Sequence, residues 1–192
     1  MFAESISNED IVNLPRLVFD GDIAIANTEE DVEKYLPRIM CHSVAGFDTE
    51  TKPSFRKGVV HGLALLQLAV PNFALLVRVN SCGLTPSLIS YFENENFTKV
   101  GAAIRDDLKA LKRIETFEPK GFVELQVIAP QHGIECLSVR KLAAIVLNVR
   151  VSKSQQLSNW ESTVLTPPQQ EYAAIDAWAC REIYLKLLQD SK

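Results

Sequence analysis

The sequence predicts an α/β fold in which a mixed central sheet is flanked by helices and the C-terminal half is mainly helical. Three observations predict it. Short apolar runs bounded by turn residues fall between Ser43 and Gly101, the pattern of buried strands. Helix-start signals alternate with those runs, and from Gly121 onward nearly everything has helical patterning. Strands early and helices late suit one sheet covered by helices.

Taken in order, Thr28 followed by Asp31 resembles a capping box and starts a helix that runs to about Met40. Ser43 to Thr49 reads as a strand, and Leu63 to Val79 is the longest apolar stretch of the chain. Gln67, Pro71, Asn72 and Arg78 interrupt that stretch, so it is not a membrane-spanning helix. It divides at Pro71-Asn72 into two strands, His61 to Val70 and Phe73 to Asn80. Pro86 to Glu93 follows as a helix, Phe97 to Gly101 as a short strand and Ala103 to Arg113 as a helix. The last helix begins at Thr166, with Pro167 and Pro168 at its first positions, and runs to about Gln189.

The chain has 192 residues, 47% of them hydrophobic and 23% charged, which suits one domain spanning 1–192 with a sizeable core. A net charge of −4 and a pI near 5.5 argue against a protein that coats nucleic acid nonspecifically. A local basic rim is compatible with both. Cys41, Cys82, Cys136 and Cys180 lie far apart and form no zinc spacing with His42, His61 and His132, so reduced thiols in a cytoplasm are expected. The opening MFAESISNED has neither the positive nor the apolar region of a signal peptide, so neither export nor membrane association is expected.

Acidic residues in three separated stretches carry the chemistry. Asp48 and Glu50, in GFDTETKPSF, sit two apart at a strand end, where alternation turns both carboxylates to one face. Tyr172 and Asp176, in QQEYAAIDAWA, sit four apart on a helix and share a face about 6 Å along its axis. In KVGAAIRDDLKAL, either Asp106 or Asp107 can point from a helix start toward the sheet. Each fragment alone is also ordinary: a solvated turn, a carboxylate favoured in a first helical turn, a helix-face pair.

Together, in this order, they resemble the DEDDy-type 3′-5′ exonucleases, in particular the exonuclease domain of the Werner syndrome protein, with ribonuclease D more distant. FDTETKP resembles the first motif, LALLQLA the next strand, KVGAAIRDDLKAL the second motif and YAAIDAWA the third. LSNWE with a following leucine resembles the Werner-like branch. The resemblance covers about Val18 to Leu188. It implies a ribonuclease H-like fold and selects Asp107 over Asp106. It further implies a metal-dependent 3′-5′ exonuclease that acts on the 3′ ends of DNA or RNA and releases nucleoside 5′-monophosphates. The alternative is a catalytically idle binding or interaction module with the same fold. Two Mg²⁺ or Mn²⁺ ions are implied, held by Asp48, Glu50, Asp107 and Asp176, with Asp48 shared between them. A free tyrosine has a pKa near 10, so Tyr172 suits orienting a water better than acting as a base. Four grouped carboxylates repel one another, so the metal-free site is expected to be partly protonated or mobile.

Substrate contacts are expected from Thr49, Lys52, Phe55, Arg56 and Lys57, with the cations on phosphates and Phe55 stacking on a base. A solvated loop is the alternative. Arg105, Lys109, Lys112 and Arg113 read as the wet face of a helix. Arg140, Lys141, Arg150 and Lys153 read as separately solvated, with a track to the site as the alternative. Trp160 reads as a packing residue, with stacking on nucleic acid as the alternative, Trp178 as a packing residue and His61 as a satisfied histidine at the start of a strand.

Overall fold

Every residue of Leu63–Val70 (β3) is buried, and the sheet is built outward from it. In the computed structural model, which describes residues 2–56, 58 and 60–190, β3 pairs antiparallel with Val44–Thr51 (β2) and with Phe73–Val77 (β4). Asp22–Ala26 (β1) lies parallel to β4. On the other side, Thr98–Gly101 (β5) lies parallel to β2, and Phe122–Glu124 (β6) parallel to β5. The order is β1-β4-β3-β2-β5-β6, a mixed sheet as the sequence predicts. Pro71 and Asn72 turn β3 into β4, with Asn72 at φ 60°, a left-handed conformation that asparagine tolerates.

Because side chains alternate along a strand, β3 feeds two cores. Leu66 and Leu68 join Phe47, Leu75 and Val77 on one face. Glu29–Met40 (α2), Pro86–Glu93 (α4) and Ile104–Ile114 (α5) cover that face through Val32, Leu36, Leu88 and Leu111. Burying each such leucine contributes about 1.5–3 kcal/mol. Thr28 caps α2 with the capping box read from the sequence, which adds about 1 kcal/mol.

The opposite face carries Leu65, Ala69, Ala74 and Leu76 and is covered by the long helix Pro167–Asp190 (α8). Ala173, Ala174, Ala177 and Ala179 of α8 are buried, and their small side chains let the helix lie close against the strands. Leu125–Ile128 (α6) and Val139–Leu142 (α7) complete this layer, α7 running on as a π turn through Ala143–Leu147.

Two strands and two short helices depart from the sequence reading. β1 offers only Ile23 and Ile25 among small residues, and β6 is three residues long, too short for a period to register. Asn8–Val12 (α1) is a single turn capped by Ser7. With β6 and with residues 148–166 running mostly as turns, the chain after Gly121 is less helical than predicted. The strand expected to end at Asn80 stops at Val77, where a helical turn, Val79–Cys82 (α3), takes over. Among the described residues no helix is long and apolar enough to cross a membrane.

Candidate functional site

The last residues of β2 carry Asp48 and Glu50 out of the sheet on the face that α8 covers. α8 presents Tyr172 and Asp176, one turn apart, to the same point. Carboxylate oxygens of Asp48, Glu50 and Asp176 all lie within 4.8 Å of one another.

Asp107 arrives from elsewhere and is not part of that trio. Thr49 points to the opposite face of β2 from Asp48 and Glu50, and its hydroxyl donates to the Asp107 carboxylate. Asp107 thus reaches the end of β2 from the α5 side, still close enough to raise the pKa values of Asp48 and Glu50 by repulsion. Neighbouring Asp106 is exposed and pairs with Lys109 at 2.8 Å, so geometry separates the two aspartates that sequence spacing leaves equivalent.

The start of α5 is held by Glu124 at the end of β6. Its carboxylate accepts from the backbone N–H of Ala103 at 2.9 Å and of Ile104 at 2.8 Å. This substitutes for a local N-cap, since Ala103 has no side chain to offer and sits at φ 60°. No local signal marks Glu124, because the helix it caps begins twenty residues earlier.

Burial and mutual repulsion decide the protonation of the site. Desolvation, then repulsion from Asp176, Glu50 and Asp107, pushes the Asp48 carboxyl well above the usual carboxylate range. Burial followed by Asp176 and Asp107 raises Glu50 to about 8, and burial raises Asp176 to about 7, opposed by hydrogen bonding from the Tyr172 hydroxyl. Asp107 is raised by burial and lowered by its bond from Thr49. Burial and the surrounding carboxylates push the Tyr172 phenol up, so it stays protonated as a donor at neutral pH. The donor set is all oxygen and acidic, which fits a hard divalent cation such as Mg²⁺ or Mn²⁺, and a cation would relieve the repulsion.

Tyr172 rests on Trp160, ring centroids 5.9 Å apart, and Trp160 is wholly buried, in keeping with the packing role read for it. Trp178 packs edge-on against Phe19 at 5.5 Å.

Of the residues expected to meet substrate, Thr49 is engaged with Asp107 as described. Lys52 is bound to Glu161, Nζ to Oε2 3.1 Å, and the other oxygen of Glu161 lies 3.3 Å from His61 Nδ1. His61 precedes β3 instead of starting it. Glu161 therefore ties down both ends of the connection between β2 and β3. Phe55 is 81% exposed on that connection and Arg56 is exposed beside it, while Lys57 lies outside the described residues. A cavity of about 170 Å³ opens at the acidic cluster. Asp48, Tyr172 and Asp176 form one wall and Arg140, Ser152 and Lys153 line the other.

A family model described as 3′-5′ exonuclease matches residues 23–191. The chain is 32% identical over 186 residues to the bifunctional 3′-5′ exonuclease/ATP-dependent helicase WRN of Mus musculus, a match covering 91% of this chain and 13% of that protein. It is 29% identical over 194 residues to a 3′-5′ exonuclease of Arabidopsis thaliana, covering 93% of this chain and 67% of the relative. Among solved structures, Escherichia coli RNase D, an exoribonuclease involved in structured RNA processing, superposes with a TM-score of 0.79 at 20% identity, covering 88% of this chain and 45% of that one. The fold is accordingly the ribonuclease H-like one that the sequence resemblance implies.

Proposed function

The chain belongs to the 3′-5′ exonuclease family, and on that premise we propose that it is a single catalytic domain that removes nucleoside 5′-monophosphates from the 3′ ends of a nucleic-acid strand. The observation that carries this reading is the convergence of Asp48, Glu50 and Asp176 within 4.8 Å, beside Tyr172.

Asp48, Glu50 and Asp176 would hold one divalent cation directly, and Asp48 together with Asp107 would hold a second. Mg²⁺ or Mn²⁺, if bound there, would supply Lewis-acid activation of water and charge neutralisation at the departing 3′ oxygen. The protein's own part is positioning. Thr49 orients the Asp107 carboxylate from behind, and Glu124 holds the helix turn that carries it. Tyr172, held protonated and braced by Trp160, donates toward the acidic cluster and can orient the attacking water, which asks for no proton transfer from the phenol.

Recognition at the phosphate is shared by DNA and RNA, since the 2′-hydroxyl is not involved in the chemistry. The test uses 5′-labelled single-stranded DNA, recessed duplex DNA and RNA with Mg²⁺, Mn²⁺ or a chelator, and Asp48→Ala as control. A ladder that shortens from the 3′ end and disappears with chelator and with the variant supports the proposal. Undiminished activity of Asp48→Ala, or no activity on any substrate with either metal, would sink it.

A further inference from the structure

The cavity beside Asp48, Tyr172 and Asp176 adjoins a second one of about 280 Å³, and Arg140, Val151, Ser152 and Lys153 line both. The second cavity ends against α1 at Ile11 and Val12, with Arg150 in its wall. Three cations, Lys153, Arg140 and Arg150, therefore line one continuous path that begins at the acidic cluster and leads away from it. The sequence separates them by up to thirteen positions; the fold gathers them because α7 and residues 150–153 stand side by side next to α1.

Among the described residues their charges have no acidic partner. Arg140 donates to the side-chain oxygen of Asn8 at 3.1 Å and Arg150 to the backbone carbonyl of Leu14 at 2.9 Å, both uncharged acceptors that fix each guanidinium in place. Among the described residues no carboxylate lies within ion-pair distance of Arg140, Arg150 or Lys153. In a chain of net charge −4, a groove lined by three cations, two of them held in place by hydrogen bonds and none paired with an acid among the described residues, calls for a polyanion.

We infer that this groove binds the phosphate backbone of one strand on the 5′ side of its terminal nucleotide, at Lys153 and Arg140 first and at Arg150 beyond. The inference rests on the exonuclease reading of the site. The second cavity has no aromatic lining on which bases could stack, so its grip falls on phosphates and is indifferent to sequence.

Two measurements test this. The first is the salt dependence of binding a fluorescent octanucleotide, DNA and RNA in separate arms, to the metal-free protein. Arg140→Gln/Arg150→Gln should weaken binding at least tenfold and flatten the slope of log K against log salt by roughly 0.7 for each phosphate that is no longer neutralised. Arg150→Lys, which keeps the charge and gives up the bond to Leu14, should stay near the parent. The second compares kcat/KM on the octanucleotide with that on the p-nitrophenyl ester of thymidine 5′-monophosphate, which carries only the scissile phosphate. The double variant should lose at least tenfold more on the octanucleotide, mainly through KM. Unchanged binding and slope, or equal losses on both substrates, would overturn the groove. A parent that binds the strand through these arginines yet turns over neither substrate would instead overturn the exonuclease reading and leave the groove standing.

Discussion

A Cβ at Gly46 would collide with the carbonyl oxygen of Ala177: β2 and α8 touch backbone to backbone, two residues before Asp48 and one after Asp176. No side chain fits between them, so this approach sets the distance across the acidic cluster. Gly46→Ala should push α8 outward and cost about 1–3 kcal/mol of stability through overpacking. Activity should fall at least tenfold, beyond what partial unfolding explains, because a displacement of about 1 Å at a reacting centre is expensive. Thermal unfolding and strand degradation, measured below the melting transition, check both. A variant as active as the parent would mean that α8 does not set the site.

The metal-free protein should become less stable as pH rises through the neutral range. Glu50 at about 8 and Asp176 at about 7 bind protons more tightly in the folded protein than at their usual values of 4.5 and 3.8. Their contribution is fully present below about pH 4 and is lost progressively as pH rises through about 8. Asp31, Asp106 and Glu161 are shifted the other way and act only at the acid end. Melting temperatures of parent and Glu50→Gln, compared in chelator from about pH 5 to 9, isolate the effect. The variant should gain on the parent as pH rises, and parallel curves would contradict the assignment.

Mn²⁺ or Mg²⁺ should reverse that loss. A cation that binds only the folded site stabilises by about 2.7 kcal/mol at a hundred times its dissociation constant. Binding must displace protons from Glu50 and Asp176, so the stabilisation should be larger at about pH 8 than at about pH 6. Differential scanning fluorimetry with a metal titration measures it, and Asp48→Asn should abolish it. No shift with either metal at the higher pH would argue against a metal site here.

Tyr172→Phe separates positioning from packing. The ring keeps its contact with Trp160 and only the hydroxyl is removed, so the melting temperature should change little and metal stabilisation should persist. Turnover should drop roughly 10²-fold, toward the low end of what a positioned proton-handling group contributes. A drop in metal affinity equal to the drop in rate would reassign Tyr172 to supporting Asp176.

Glu161→Gln tests the tether on the β2–β3 connection. It removes the charge that holds Lys52 and His61 while keeping the shape of the side chain. Both partners are partly exposed, so global stability should fall by no more than about 1 kcal/mol. Tryptic cleavage at Arg56 under native conditions should accelerate severalfold. An unchanged cleavage rate would mean that the connection is held by something other than Glu161.

The candidate site was legible in the sequence where it is written in local periods. Asp48 and Glu50 two apart on a strand, and Tyr172 and Asp176 four apart on a helix, each share a face for reasons internal to their own element. The buried strands Leu63–Val70 and Phe73–Val77 and the capped helix Glu29–Met40 were legible for the same reason. β1 and β6 were not, because two isoleucines or three residues carry too little period to register and are strands only through their neighbours.

What the sequence determined by itself is therefore on what kind of element each candidate site residue sits and which pairs of them share a face. Tertiary structure alone decided how they meet. It put Asp107 behind β2 through Thr49, capped its helix with Glu124, turned Lys52 toward Glu161 and lined up Lys153, Arg140 and Arg150 beside the site. Each of these joins residues with no fixed sequence spacing, brought together by packing of helices on a sheet, and a local period holds no information about contacts that only closure of the chain creates.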